Sequence, residues 1–361
     1  MSQVSYIEDK KPHSYYYTIV IKRYHLNLRV LITGAAGFYG SHLVNNLLRK
    51  DDTTEIIGVD SFDRKKDFPL DPFDIVDDKR AFEERFTILA SDFRDLDATK
   101  IDSLQVDCVI HLAALVSIPE SMVKPREYFE VNEQGTFKLT QELLKSKTQP
   151  SLIFASSPEV YGDPIYTPLD MNHPFRPRSF YAVSKLAGER HCMVMHEWYG
   201  YPVTIIRNFN TYGENQSNTY RGYPAVIPEF ITKSILNEPI VIEGNGKQTR
   251  DLMYVKDAVS AYVRVIEMID KCKGEIFDIG TGVQTSIIDL ANKIIDISES
   301  SSELRFASGR PAELERLEAD TSRIKEVLEW SPSHTLEKGL VKTIPWYRLV
   351  LENAGKANRH H

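Results

Sequence analysis

Tyr181 and Lys185 are the residues of this chain best suited to proton chemistry, because a phenol and an amine stand four residues apart. On a helix, this spacing brings both side chains to one face. An ammonium close to a phenol favours the phenolate, so the sequence predicts that Lys185 lowers the pKa of Tyr181 and makes it a base near neutral pH. Because the spacing also arises by chance, its meaning depends on the residues around it.

A glycine-rich segment near the start of the fold has the spacing of a phosphate-binding turn. Gly34, Gly37 and Gly40 follow the apolar run Arg29–Thr33 and precede a segment with helical spacing of leucines. Glycines permit a tight turn close to a pyrophosphate, and the following helix N-terminus supplies amide donors. Asp60 ends the next predicted strand about 20 residues beyond Gly40, where a carboxylate accepts hydrogen bonds from a ribose and repels a 2′-phosphate. The sequence therefore predicts a site for NAD rather than NADP.

The predicted elements explain how these distant residues meet. Short apolar runs predict strands at 29–33, 55–60, 86–89, 106–112, 151–155 and 202–206, and helices at 41–49, 125–147 and 179–199. Strands that alternate with helices indicate an α/β fold with a doubly wound parallel sheet, the Rossmann arrangement.

Beyond residue 206 the pattern becomes mixed and predicts a second unit. A loop is expected at 213–222, helices at 226–236, 257–268 and 287–297, and short strands at 240–242 and 276–279. We expect an N-terminal extension at 1–28, a Rossmann domain at 29–206 with parts of 250–282, a smaller interleaved α/β substrate domain at 207–249 and 283–348, and a tail at 349–361.

Composition places the chain among ordinary globular proteins and excludes several classes of function. The net charge of −7 gives no general attraction to nucleic acid. Cys108, Cys192 and Cys272 lie far apart in the sequence, so neither a metal site nor a disulfide framework is expected. No run approaches the ~20 apolar residues of a membrane helix. We expect a protein of the reducing cytoplasm without nucleic-acid or membrane partners.

Together, Gly34–Gly40, Ser156-Ser157 and the Tyr181–Lys185 pair resemble the extended short-chain dehydrogenase/reductase family, specifically its nucleotide-sugar epimerases and dehydratases. The resemblance runs from about residue 29 to the mid-340s. It implies an NAD-dependent enzyme of nucleotide-sugar metabolism, such as polysaccharide biosynthesis, that forms a homodimer through two long helices per subunit. It also implies that Tyr181 removes the proton of a sugar hydroxyl, that Lys185 holds the nicotinamide ribose and that Ser157 hydrogen-bonds the reacting oxygen.

The same resemblance assigns binding residues along the chain. Further cofactor contacts are implied for Phe38, Tyr39, Asp92, Phe93, Leu112, Ala113 and Ala114. Substrate contacts are implied for Ser156, Asn210, Arg250, Arg310 and Glu313. Two arginines would neutralise a diphosphate with charge-assisted hydrogen bonds. His111 is expected to be buried and hydrogen-bonded without a chemical role, and Asn132 to support the site from a helix.

Glu159 and Pro158 leave the net reaction open. The family's dehydratases and decarboxylases carry a glutamate at the position of Glu159, where it can take the C5 proton of the sugar. The best-known hexose 4,6-dehydratases have an aspartate where Pro158 stands, and proline cannot protonate a leaving hydroxyl. Ala225 replaces an asparagine of many relatives, as in some amino-sugar dehydratases, whereas Glu214-Asn215 replaces a Pro-Arg pair that a sugar-acid decarboxylase would favour.

Three kinds of function follow from these residues. The first is a nucleotide-sugar 4-epimerase, which oxidises C4 to a ketone and returns hydride to the opposite face. The second is elimination or net oxidation, by a 4,6-dehydratase with Glu159 as base or a C4 dehydrogenase. The third is a non-catalytic NAD-binding scaffold, against which the presence of both Tyr181 and Lys185 argues.

Overall fold

The structure is a computed structural model that describes residues 28–50, 52–62, 71–217, 219–220, 223–309 and 314–357. The predicted N-terminal extension, apart from Leu28, lies outside the described residues, as do two predicted substrate contacts, Arg310 and Glu313. Of the helices in the described part of the chain, none combines the length and the apolar character that a bilayer crossing needs.

Strands and helices alternate along the first two thirds of the chain. The strands are β1 (Arg29–Thr33), β2 (Glu55–Asp60), β3 (Phe86–Ala90), β4 (Cys108–His111), β5 (Ser151–Ser156), β6 (Val203–Asn208), β7 (Thr211–Tyr212), β8 (Thr219–Tyr220), β9 (Tyr223–Pro224), β10 (Ile240–Glu243), β11 (Thr249–Asp251), β12 (Met253–Tyr254), β13 (Ile276–Ile279), β14 (Gln284–Ser286) and β15 (Leu304–Ala307). The α-helices are α1 (Phe38–Lys50), α2 (Lys79–Arg85), α3 (Ala98–Leu104), α4 (Ile118–Val123), α5 (Pro125–Tyr128), α6 (Gly135–Lys145), α7 (Phe180–Tyr199), α8 (Val226–Ile235), α9 (Val255–Glu267), α10 (Ile287–Ser298), α11 (Ser322–Leu328) and α12 (Leu336–Ala357).

A seven-stranded parallel sheet organises the chain, in the order β13-β6-β5-β4-β1-β2-β3. Strands β1 and β4 are apolar and almost completely buried, as expected for strands covered on both faces. The strand order reverses between β1 and β4, where Thr33 pairs with His111, and ligands of such folds bind at the carboxyl ends of the strands beside this reversal. The predicted Rossmann fold is confirmed.

Helices cover both faces of the sheet and form two layers of core. On one face, α1 and α9 contribute buried residues such as Leu43, Leu47 and Val259. On the other face, α6 and α7 contribute Leu143 and Met195. This packing fixes the start of α7, and therefore its first two turns, above the end of β5.

The second unit is built from small sheets and from helices α8, α10 and α12. Strand β10 pairs with β15, β11 with β14, and β7 with β12. Strand β13, however, lies in the large sheet beside β6, although it follows this mixed region in the sequence. The division of the chain into two domains stays a proposal.

Three predicted boundaries need correction. The helix predicted over 125–147 is α5, a π-helical turn (Phe129–Gln134) and α6. The loop predicted over 213–222 contains β8, which pairs with β9. The tail predicted from residue 349 is helical as far as Ala357, because the buried residues Leu340, Ile344 and Tyr347 have helical spacing that carries α12 onward.

Candidate active site

Ser157, Tyr181 and Lys185 come together at the carboxyl end of β5. Ser157 directly follows this strand, and Tyr181 and Lys185 lie on the first turns of α7. The side chain of Ser179 caps the helix by accepting a hydrogen bond from the amide of Ala182, at 3.1 Å, and so fixes the start of α7. The Ser157 hydroxyl is close enough to the phenol of Tyr181 to favour its ionised form. Tyr181 and Lys185 therefore lie on one face of a helix, as their four-residue spacing predicts.

The predicted effect of Lys185 on Tyr181 is wrong for the protein alone. The pKa of Tyr181 is raised to about 12, because the phenol is buried, and the charge of Glu159 acts in the same direction. The Ser157 hydroxyl opposes this rise. Burial outweighs the other effects because removing the phenolate from water disfavours its charge.

Strand β5 holds the side chain of Lys185. Its ammonium donates a hydrogen bond to the carbonyl oxygen of Ala155, at 2.8 Å, and lies 5.1 Å from the centre of the Phe154 ring. Burial lowers the pKa of Lys185 to about 8, while the negative charge of Glu189 raises it. The amine is therefore mostly cationic at neutral pH, but its pKa lies only slightly above that pH.

The glycine-rich turn forms a cradle that side chains would fill. Gly34 has a φ of +73°, and a Cβ atom there would lie 2.9 Å from the amide nitrogen of Ala113. At Gly40 a Cβ atom would lie 2.2 Å from the carbonyl oxygen of Gly34. Asp60 closes the turn, because its carboxylate accepts hydrogen bonds from the amides of Ala36, at 2.9 Å, and Phe62, at 2.8 Å. Glycines, a helix N-terminus and a strand-end carboxylate in this arrangement fit a dinucleotide.

Several predicted cofactor residues line the same end of the sheet. Leu112, Ala113 and Ala114 follow β4 and are half-buried. Phe93 is buried against the ring of His111, with ring centres 4.8 Å apart, so its side chain belongs to the core. Asp92 is half-buried beside it. Burial would raise the pKa of Asp92, but hydrogen bonds and charge from Arg94 outweigh this effect and lower it.

His111 and Asn132 are supporting residues. The His111 ring is hydrogen-bonded to the hydroxyls of Thr33, at 2.7 Å, and Thr136, at 3.1 Å, and burial lowers its pKa to about 3, so it stays neutral. This geometry matches the expectation that His111 is a buried, hydrogen-bonded histidine. Asn132 lies in the π-helical turn and donates to the carbonyl of Leu115, at 2.9 Å, and to the hydroxyl of Ser184, at 3.1 Å. It therefore ties the loop after β4 to α7, between Tyr181 and Lys185.

Glu159 lies in the short 3₁₀ turn after Ser157, where it interacts with the charges of both Tyr181 and Arg250. Burial raises the pKa of Glu159 to about 7, although the positive charge of Arg250 acts in the opposite direction. Arg250, on β11, donates to the carbonyl of Leu314 at 2.8 Å. A carboxyl with this pKa can both take and give a proton near neutral pH.

Two further predicted contacts, Asn210 for the substrate and Tyr39 for the cofactor, differ from each other in their surroundings. The side chain of Asn210 is exposed. The hydroxyl of Tyr39 donates to that of Thr211 on β7, and the charge of Tyr181 also acts on Tyr39. Tyr39 therefore connects the helix of the glycine-rich turn with the chain that leads into the second unit.

Ser156 belongs to a buried network of hydrogen-bonded side chains, and this position argues against its predicted contact with substrate. Its hydroxyl donates to Glu189 at 2.5 Å. Arg207 on β6 binds the same carboxylate with two hydrogen bonds, at 2.8 and 2.7 Å, and also donates to the hydroxyl of Tyr161 at 2.6 Å. Tyr161 in turn donates to Asp278 on β13 at 2.7 Å. All five side chains are buried.

The sequence-based reasoning missed this network, although two signals for it exist. Glu189 stands four residues beyond Lys185 and so continues its helical face. Arg207 interrupts the apolar strand Val203–Ile206, and a buried arginine requires an anionic partner. Neither signal identifies which carboxylate meets which arginine.

The chain is similar to known proteins over most of its length. A family model described as GDP-mannose 4,6 dehydratase matches residues 31–343. The dTDP-D-glucose 4,6-dehydratase of Homo sapiens is 33% identical over 338 residues, which cover 90% of this chain and 91% of the human protein. The UDP-glucose 4-epimerase of Mycolicibacterium smegmatis is 31% identical over 322 residues, covering 89% of this chain and 99% of that protein.

Among solved structures, the UDP-glucuronic acid 4-epimerase of Bacillus cereus, in complex with UDP-glucuronic acid and NAD, matches with a TM-score of 0.79. The two sequences are 29% identical, and the match covers 90% of this chain and all of the other.

Proposed function

This chain belongs to the GDP-mannose 4,6-dehydratase family, which unites nucleotide-sugar epimerases and dehydratases, and on that basis we propose that it is an NAD-dependent nucleotide-sugar 4-epimerase. The observation that carries the proposal is the meeting of Ser157, at the end of β5, with Tyr181 and Lys185 on the first turns of α7. A phenol that can exchange a proton, a hydroxyl that can hold the reacting oxygen and a nearby cation are the groups that oxidation and reduction at one carbon need. Pro158 supplies no acid for a leaving hydroxyl.

NAD would lie across the carboxyl ends of β1 and β4. The amides of the glycine-rich turn and of α1 would hold its pyrophosphate, Asp60 its adenosine ribose, and Lys185 its nicotinamide ribose. The carboxylate of Asp60 would repel the 2′-phosphate of NADP. When bound, NAD supplies the acceptor and donor of hydride at C4 and a positive charge that favours the phenolate of Tyr181.

Tyr181 would take the proton of the C4 hydroxyl as the carbon is oxidised and return it after the sugar has turned over. Ser157 would hydrogen-bond the same oxygen and hold it in line with the phenol. Because burial raises the pKa of Tyr181 to about 12 in the protein alone, the phenol needs further positive charge to act as a base, and bound NAD would supply it. Arg250 would hold the diphosphate of a nucleotide sugar.

Glu159 supports a second candidate, a 4,6-dehydratase. Burial brings the pKa of its carboxyl to about 7, and its charge reaches Tyr181, so it could take the C5 proton of a 4-keto sugar. This role would make Glu159 essential, whereas epimerisation at C4 requires no proton transfer at C5.

Product analysis of a nucleotide-sugar panel, with added NAD in D₂O, tests both candidates. Inverted C4 configuration with unchanged mass and no solvent deuterium supports the epimerase. Loss of water with solvent deuterium at C5 supports the dehydratase, and loss of two hydrogens with accumulated NADH supports a net C4 dehydrogenase. Glu159→Gln, compared with the wild type on the same substrate, should retain C4 inversion if the epimerase proposal is correct.

We propose further that the enzyme is a homodimer of the cytoplasm. One face of α7 is apolar yet exposed: Phe180, Val183, Val194 and Trp198 follow helical spacing, and Trp198 is 80% exposed. Phe137 on α6 continues this apolar stripe through its contact with His191. Contiguous apolar surface of this kind is typical of an interface between subunits. The three cysteines are free and buried, which suits a reducing compartment.

A further inference from the structure

Glu189 is placed to act on two parts of the site at once. It lies four residues beyond Lys185 on α7 and is completely buried. Arg207 fixes both of its oxygens, so the carboxylate has one orientation. One of these oxygens also accepts the hydrogen bond of Ser156, the residue before Ser157. A rigid buried charge thus contacts the end of β5, and its field reaches the amine of Lys185.

The end of β5 is held by three hydrogen bonds to two successive residues, Ala155 and Ser156. Lys185 donates to the carbonyl of Ala155, Glu189 accepts from the hydroxyl of Ser156, and Asn208 on β6 donates to the carbonyl of Ser156 at 3.2 Å. Ser157 follows immediately, so its position depends on these contacts. Two of the three come from α7, the helix that also carries Tyr181.

The charge of Glu189 favours the cationic form of Lys185. Cys192 on α7 also raises the pKa of Lys185. The neutral ring of His111 on β4, and the Phe154 ring and Ala155 carbonyl on β5, also face this amine. Burial alone lowers the pKa of this lysine, and Glu189 is the largest effect that raises it. Without the carboxylate, Arg207 would lose both hydrogen bonds to Glu189 and keep only the more distant Asp278, at 3.9 Å, as an ion-pair partner.

We propose that Glu189 is a positioning residue of the active site, which holds the cationic form of Lys185 and the strand end that carries Ser157. The kinetic part of this inference rests on the proposed function, since it assumes that Lys185 acts as a cation during turnover. The role of Glu189 in holding the charge of Lys185 and the end of β5 does not depend on the proposed function. Asp278 is the natural comparison, because it is the second buried carboxylate of the same network but reaches Arg207 only at 3.9 Å and through Tyr161.

The test compares Glu189→Gln with Asp278→Asn in the full chain. Titration of ¹³Cε-labelled lysine by NMR, with the signal assigned through Lys185→Arg, reports the protonation of Lys185 without any substrate. We expect Glu189→Gln to move the Lys185 midpoint downward by about one pH unit or more, because a close buried charge is lost. Asp278→Asn should leave the midpoint in place. An unchanged midpoint in Glu189→Gln, or an equal shift in both variants, would overturn the proposal.

Kinetics provide the second readout. On a substrate found with the panel, the alkaline limb of kcat should move toward neutral pH in Glu189→Gln by the same amount as the NMR midpoint, and should not move in Asp278→Asn. A shifted midpoint with an unshifted limb would overturn the catalytic part of the inference. If no nucleotide sugar is turned over, the proposed function fails, while the NMR titration still decides whether Glu189 controls Lys185. If Glu189→Gln does not fold, Glu189→Gln combined with Arg207→Met removes both charges of the pair, and a smaller shift in the same direction is expected because the opposing positive charge is lost as well; no shift would overturn the proposal.

Discussion

Asp278 gives the stability of this protein an unusual dependence on pH. Its side chain is buried, one of its carboxylate oxygens, Oδ1, has no hydrogen-bond partner, and burial raises its pKa from 3.8 to about 7. The positive charge of Arg207 and the hydrogen bond of Tyr161 oppose this rise but do not cancel it, because Arg207 is already engaged with Glu189. Asp278 is therefore protonated in the folded protein at pH values where it is ionised in the unfolded chain.

The sign and size of the effect follow from these values. A carboxyl whose pKa is raised by folding stabilises the protein below its unfolded pKa, and this stabilisation is lost as the pH rises toward the folded pKa. A rise of about 3 pKa units corresponds to about 4 kcal/mol, lost between about pH 4 and pH 7, since one unit equals about 1.4 kcal/mol. Asparagine cannot ionise, so Asp278→Asn should lack this loss.

Urea denaturation of the wild type and Asp278→Asn from pH 5 to pH 8 measures the difference. The stability of the variant relative to the wild type should improve by about 3 kcal/mol over this range, which contains most of the titration. Asp74→Asn, at an exposed aspartate, is the matched control for the acid-to-amide change. A constant difference between Asp278→Asn and wild type at all pH values would mean that Asp278 is ionised in the folded protein, and our reasoning about the network would be refuted.

Two further predictions concern the cofactor turn and the subunit interface. Gly34→Ala should weaken NAD binding by about tenfold or more, because the residue has positive φ and its Cβ atom would crowd Ala113, and strain of this kind costs about 1–3 kcal/mol; calorimetric titration with NAD measures it, and unchanged affinity would contradict it. Trp198→Glu should convert a dimer to a monomer in light scattering while far-ultraviolet circular dichroism is retained, because a charge would be buried in the interface. An unchanged mass would show that the exposed face of α7 is not the interface.

The sheet and the placement of Tyr181 and Lys185 on one helix could be predicted because they depend on local signals. Apolar runs predict β1 and β2, the glycine spacing predicts the turn between β1 and α1, and the tyrosine and lysine share a helical face whatever their surroundings. The rest depends on contacts between distant residues. Nothing near Tyr181 in the sequence shows that burial would raise its pKa, and the partners of Arg207 lie on α7, directly after the 3₁₀ turn that follows β5, and on β13.

The place of β13 in the sheet also has a consequence for how the chain folds during synthesis. Strand β6 pairs with β5 on one side and β13 on the other, and β13 ends only at Ile279. Until the ribosome has released that segment, the strand Val203–Asn208 presents an open edge, which favours pairing with other chains. A fragment that stops near residue 206 would keep this edge permanently. We therefore expect such a fragment to aggregate even though it contains the glycine-rich turn and the tyrosine–lysine pair.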